Sequence, residues 1–284
     1  MNTVGASRYA PEWLALRERA DVEARSPELL QKLRTFLAGA PPADGLLTIR
    51  DLGCGTGSMG RWLASRLTGP QRWVMYDRDP DLLAGIGERM PREAADGSTV
   101  EVVPEQRDVT RLDSDDLAGT SVVVASALLD LLTAEEVDRI AAACTEAGCA
   151  VLFALSVAGR VEFDPADPLD GEVAAAFNAH QRRAVGGRRL LGPDAVDAAT
   201  AAFERRGATV HSHSSPWRLG AQESELTGEW LRGWVAAAVA QHPDLAPESE
   251  AYLRRRLDAC EAGELRAVVQ HRDLLALPRT GAHI

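Results

Sequence analysis

Short apolar runs alternate with stripes of 3.6-residue period along this chain. Runs at 46–50, 72–76, 99–103, 121–125 and 150–157 read as strands, and 121–125 (SVVVA) is apolar on both faces, as a strand inside a covered sheet is. Between the strands come helical stripes. Met59, Trp62, Leu63 and Leu67 form one; Leu82, Leu83 and Ile86, started by Asp79-Pro80 and stopped by Pro91, form the next. A third, with Val137, Ile140 and Ala141, follows the capping box Thr133-Ala134-Glu135-Glu136 and ends at Gly148. A helix over 193–206, with Val196 and Phe203, precedes a sixth strand beginning at 208–211. Five strand–helix units at regular spacing predict an α/β fold with a doubly wound sheet.

The flanks are helical. Residues 8–38 predict two helices, the second opened by Ser26-Pro27-Glu28, and 39–45 is a Pro/Gly linker into the first strand. Helices are expected at 224–240 and 248–262, the first with Leu226, Trp230, Leu231, Trp234, Val235 and Val239 along one face, before another strand-like run at 266–277.

The first strand runs through Asp51-Leu52-Gly53-Cys54-Gly55-Thr56-Gly57 directly into a helix. Strand, glycine turn and helix make a nucleotide-type site: glycine permits the turn, no Cβ blocks the backbone, and helix-start amides face an anionic group. Asp51, Gly53, Gly55 and Gly57 resemble motif I of the class I S-adenosylmethionine (SAM)-dependent methyltransferases, an acid followed by x-G-x-G-x-G. Gly55-Thr56-Gly57-Ser58-Met59-Gly60 also satisfies the dinucleotide pattern G-x-G-x-x-G. Asp51 favours the first reading, because a carboxylate suits the ammonium and sulfonium of SAM and repels a pyrophosphate.

The resemblance covers roughly 45–217 and 266–277, and it implies a seven-stranded, mostly parallel sheet with an antiparallel strand seven and helical cap insertions. It makes 1–40 an N-terminal helical lid and 45–284 the SAM-binding domain. Cap insertions at about 158–192 and 221–264 start from the cofactor face. It assigns SAM binding to Asp51, Gly53, Cys54, Gly55, Thr56, Gly57, Asp77, Arg78, Asp108, Val109 and Ser126. Asp77, at the end of strand two, is placed for the ribose hydroxyls, a role an NAD enzyme would share. Asp108 lies where the family holds an acid near the adenine amino group, and Ser126 to Asp130 is the segment that flanks the methyl.

The acceptor side is less defined. His180, within Phe177-Asn178-Ala179-His180-Gln181-Arg182, is the candidate general base, since histidine titrates near neutrality. Arg17, Asp130, Asn178, Gln181 and Trp217 are candidate substrate contacts, with Tyr9, Trp13 and Arg218 as further possibilities. His211, His213 and His271 are expected to be structural or exposed.

Composition narrows the partners. A net charge of −11 over 284 residues argues against RNA or DNA. No apolar run reaches the roughly 18–20 residues that span a bilayer. The start MNTVGASRYAPEW has no signal-peptide pattern, so a cytoplasmic location is expected. Cys54, Cys144, Cys149 and Cys260 match no metal spacing, and no metal is expected. The function expected is methyl transfer from SAM to an oxygen or nitrogen of a small organic molecule. The alternatives are an NAD(P)-dependent oxidoreductase, a SAM-binding protein without catalysis, and an RNA methyltransferase. The acceptor and the oligomeric state are open.

Overall fold

The computed structural model describes residues 10–279, so Tyr9 lies outside the described residues. Helices α1 (Pro11–Ala24) and α2 (Pro27–Gly39) come first, and Ser26 caps α2 by accepting a hydrogen bond from the Leu29 amide. Then follow β1 (Leu47–Leu52), α3 (Ser58–Ala64), β2 (Gln71–Asp77), α4 (Pro80–Leu83), α5 (Ile86–Arg89), β3 (Val100–Gln106) and β4 (Val122–Ser126). Next are α6 (Ala134–Ala147), β5 (Ala150–Asp164), α7 (Asp170–Gln181), the two-residue strands β6 (Ala184–Val185) and β7 (Arg188–Arg189), and α8 (Ala195–Arg205). The chain closes with β8 (Thr209–Ser214), β9 (Trp217–Leu219), α9 (Ser224–Gln241), α10 (Ala246–Glu261) and β10 (Arg266–Leu277).

The main sheet runs in the order β3-β2-β1-β4-β5-β10-β8, with β9 also paired to β10. Pairs from β3 through β5 are parallel, while β10 is antiparallel to β5, β8 and β9. The sheet is therefore doubly wound and mostly parallel, with an antiparallel strand before the far edge. Its order reverses between β1 and β4, which opens a crevice at their carboxyl ends. One face is covered by α2 and α3 through Leu33, Leu37, Met59 and Leu63, and the other by α6 and α8 through Ile140, Ala141, Ala199 and Phe203.

Three details differ from the sequence reading. The helix expected after Asp79 is two single turns, because Gly85 adopts φ 67° between α4 and α5. Strand β5 does not stop at Val157. It continues to Asp164 against Arg266–Val269 of β10, so the helical part of the first insertion begins only at α7. An eighth strand, β9, joins the sheet: Trp217 and Leu219 are buried, Arg218 is exposed, and Trp217 pairs with Val269.

Helices α7, α9 and α10 share a third core, with Val173, Leu231, Trp234 and Tyr252 buried in it. Together with the far half of β5 and β10 they form a roof on the sheet's cofactor side. Helix α1 closes the remaining side, packing Trp13 and Leu16 near Trp217 and Leu219. Among the described residues, no helix is long and apolar enough to cross a membrane.

Candidate active site

The glycine turn is shaped by backbone conformation. Gly53, Gly55 and Gly57 all have positive φ (65°, 55° and 90°), which disfavours a Cβ at each. A Cβ at Gly53 would also press on Leu128, and one at Gly55 on Leu14, at 3.2 and 3.1 Å. Asp77 closes the turn, accepting from the Gly55 amide at 2.9 Å and from the Asp79 amide at 2.9 Å. A carboxylate has about four acceptor positions, so Asp77 keeps capacity for further donors. Asp108 caps the turn after β3 through Thr110, and these hydrogen bonds, aided by Arg78 and Arg111, outweigh burial and lower its pKa.

Asp51 is fully buried at the end of β1, and neither of its oxygens has a hydrogen-bond partner among the described residues. Burial raises its pKa to about 7 against the opposing pull of Arg25. Arg25, just past α1, is 3% exposed and donates to Ser58 Oγ at 3.1 Å and Ser126 Oγ at 3.3 Å, while its Nε and Nη1 are unpartnered. Asp51, Cys54, Thr56, Ser58 and Ser126 line a small recess below the turn. An unpaired carboxylate and a guanidinium held only by two hydroxyls beside this recess fit the two charges of an amino-acid group. Arg25 carried no sequence signal, because it ends a helix with no visible link to the glycine turn. The Cys54 thiol, raised in pKa by burial and two nearby carboxylates, is a filler of the turn.

A cavity of about 770 Å³ opens from the turn, inside the range of roughly 300–1,000 Å³ typical of small-molecule sites. On the sheet side it is lined by Gly53, Gly55, Asp77, Arg78, Asp108, Val109 and Ser126. On the roof side Arg17, Asp130, Asn178, Gln181 and Trp217 reach it, joined by Trp13, Phe177, Trp230 and Trp234. The cavity's inner wall contains two non-glycine residues at positive φ, Ala127 (53°) and Leu155 (57°).

The histidines fall differently from the sequence reading. His180 is not among the lining residues; burial and the nearby Arg183 lower its pKa. Arg218 and Arg182 are also off the lining, Arg182 being paired with Asp194 at 2.6 Å. His271, expected to be structural or exposed, is buried and lines the cavity. Its ring lies 5.0 Å from that of Trp217, and its Nδ1 has no partner. Burial, reinforced by Arg17, lowers its pKa to about 3, so the ring is neutral at physiological pH. Asp130, on the turn after β4, has an unpartnered, inaccessible Oδ1. Burial raises its pKa to about 6, opposed by its own backbone amide, Arg17 and Arg183.

Residues 49–147 match the family model described as a methyltransferase domain. That stretch, about a third of the chain, carries a methyltransferase domain. A methyltransferase match over the glycine turn supports SAM over the dinucleotide reading of Gly55–Gly60. The matched stretch spans β1 through α6 and so contains the glycine turn, Asp77, Asp108 and Asp130. None of the curated proteins compared with the chain matches it.

Among solved structures, the chain is similar to a SAM-dependent methyltransferase from Geobacter sulfurreducens in complex with S-adenosylhomocysteine. The two are 18% identical over 95% of this chain and 99% of that one, with a TM-score of 0.45. It is also similar to a cyclopropane synthase from Mycobacterium tuberculosis, at 11% identity, 96% and 100% coverage and a TM-score of 0.45. A third is an N-methyltransferase from Haemonchus contortus in complex with phosphomonomethylethanolamine and S-adenosylhomocysteine, at 15% identity, 96% and 59% coverage and a TM-score of 0.44. Among the described residues no group of three or more His, Cys, Asp or Glu side chains is placed to hold a metal.

Proposed function

We propose that the enzyme transfers the methyl group of SAM to an oxygen or nitrogen of a small organic molecule held under the helical roof. The observation that carries this reading is the single cavity that runs from Asp77 and Asp108 to Trp217 and Trp234, large enough for cofactor and acceptor together. In this reading Asp77 holds the ribose hydroxyls, Asp108 and Val109 border the adenine, and Gly53, Gly55 and Gly57 give the cofactor room against the backbone. Asp51 accepts from the cofactor's ammonium, and Arg25 donates to its carboxylate.

The bound cofactor supplies a methyl group already activated by a sulfonium. What remains for the protein is to align the acceptor and exclude water. Residues 1–40 act as a lid in this proposal. Helix α1 is tied to the glycine turn through Glu18, which accepts from Arg61 Nε at 2.7 Å, while Arg61 also donates to the Thr56 carbonyl at 2.6 Å. The net charge of −11 supports a small molecule over a polyanionic substrate, and four free, buried cysteines support a reducing compartment such as the cytoplasm.

The test is incubation of the purified enzyme with methyl-tritiated SAM and, separately, pooled phenols, pooled amines or bulk tRNA. Label is expected in a low-mass product of the phenol or amine pools. Label in tRNA alone would overturn the reading. Calorimetry on the same preparation should show SAM binding weakened at least ~tenfold in Asp77→Ala, as loss of a charged hydrogen-bond acceptor predicts.

A further inference from the structure

We propose that the acceptor is a neutral, planar aromatic molecule bearing an O–H or N–H, and that this group is seated between Asp130 and His271, with Asp130 taking its proton. The proposal rests on the methyl-transfer reading above and names the substrate class of that same cavity.

Its first support is the distribution of aromatic side chains. The chain has six tryptophans, and Trp13, Trp217, Trp230 and Trp234 all line the acceptor end of the cavity. Trp230 and Trp234 stack at 5.3 Å and 21°, and Phe177 lies 6.3 Å from Trp234. Such walls suit a flat ring, which gains area and offset stacking together.

The second support is the set of polar atoms with nothing to bind. His271 is 4% exposed, and its Nδ1 has no partner; the same holds for Asp130 Oδ1 and Gln181 Oε1. The buried His271 ring is neutral, so one of its nitrogens offers a lone pair and the other a proton. Around one cavity these side-chain atoms and the Trp234 Nε1 donor lack partners, which suits a ligand whose O–H or N–H both gives and accepts a hydrogen bond, since a buried polar atom left unmade is costly. Arg17 links Asp130 to His271: its charge acts on both, and its guanidinium lies 5.0 Å over Trp217, the ring beside His271.

The third support is charge. Four of the six lining arginines are paired with carboxylates, Arg17 with Asp21 at 3.0 Å, Arg188 with Glu136 at 2.6 Å, Arg160 with Glu162 at 3.2 Å and Arg107 with Asp116. Arg183 donates to the His180 carbonyl at 2.9 Å, and its charge also acts on Asp130. Neither a strong anion nor a strong cation is asked for, and one face of Trp217 is already taken by Arg17.

The step balances. The acceptor's oxygen or nitrogen lone pair bonds to the methyl carbon as the carbon–sulfur bond breaks, and that electron pair stays on sulfur. The acceptor's proton passes to the Asp130 carboxylate and later to water.

The experiment is calorimetry on the full-length protein saturated with S-adenosylhomocysteine, using 2-naphthol, its methyl ether 2-methoxynaphthalene and choline as probes. 2-Naphthol should bind, and the ether and choline should bind at least ~tenfold more weakly. Asp130→Ala and His271→Phe should each weaken 2-naphthol by a similar factor, with S-adenosylhomocysteine affinity within about twofold of wild type. 2-Naphthol affinity should fall as pH drops through about 6, where Asp130 protonates facing Arg17 and Arg183. Asp130→Asn keeps the shape without the titration, and should flatten this profile. The proposal is overturned if 2-naphthol does not bind, if the ether or choline binds as well, if neither variant alters binding, or if the pH profile survives Asp130→Asn. Wild-type protein that fails to bind S-adenosylhomocysteine would count against the methyl-transfer reading instead.

Discussion

Asp51 combines two demands on one side chain. It is the first acid of the glycine motif, and it is fully buried with both oxygens unpaired. An acid whose folded pKa is raised to about 7, from an ordinary value of 3.8, keeps its proton in the folded chain and loses it in the unfolded one between those values. Its contribution to stability is therefore fully present below about pH 4, declines as pH rises, and is gone above about pH 7. Asp51→Asn removes that decline. In the absence of cofactor the variant should be more stable than wild type at pH 8 by ~1–3 kcal/mol, read by thermal melts from pH 5 to 8. The same variant should bind SAM at least ~tenfold more weakly, because the ammonium loses its charged acceptor. A melt profile of Asp51→Asn that still falls between pH 5 and 7 in parallel with wild type would remove Asp51 from this account.

At the scale of elements, one carboxylate holds the α1–α2 junction to the sheet. Asp273, on β10, accepts from the Leu155 amide at 2.8 Å, from Ser215 Oγ at 2.6 Å and from the Ser26 amide at 2.8 Å. It thereby joins the inner strand β5, the β8–β9 corner and the junction of α1 with α2. The β10–β5 register slips on both sides of His271 and Arg272, between Val269 and His271 and again between Arg272 and Leu274. Leu155, on the facing strand, takes up positive φ. This irregularity turns His271 to the cavity, where the ladder passes from β8 to β9 and the Ser215 amide donates to the His271 carbonyl. Asp273→Ala leaves three buried donors unmet and should cost ~3 kcal/mol or more. Hydrogen exchange should then show the α1–α2 junction opening before the sheet; uniform loss of protection would mean that Asp273 supports the sheet alone.

Across the whole molecule, the helical roof and α1 come from segments far apart in the chain that meet over the cavity. Tyr252 donates to Asp170 at 2.7 Å, Arg256 pairs with the same Asp170, and Arg255 pairs with Asp167 at 2.8 Å, fastening α10 to the start of α7. A ligand that bridges sheet, α1 and roof stabilises only the closed assembly. SAM at about 100 times its dissociation constant should add ~2.7 kcal/mol, seen as a rise in melting temperature that NADH does not produce. An equal rise with NADH would contradict the cofactor assignment.

What could be read without the fold was local and periodic. The glycine turn behind Asp51, the acid ending strand two and the alternation of strand and helix depend on neighbours along the chain, so the doubly wound sheet and the cofactor face were legible. Trp217 and Asp130 could be placed near the cavity because each follows a strand at that face, and Asn178 and Gln181 because they lie in an insertion that starts there. Arg25 and His271 could not. Arg25 faces the glycine motif only because α1 and α2 dock on the sheet, and His271 faces the cavity only because the β10 register slips beside a left-handed Leu155. His180, in a polar stretch of the first insertion, looked the better base, yet α7 presents Phe177, Asn178 and Gln181 to the cavity and leaves His180 off it. Short-range pattern determines which elements form and where a motif begins. Which side chains share a cavity is decided by packing between distant segments, where burial and unpaired charge set the chemistry.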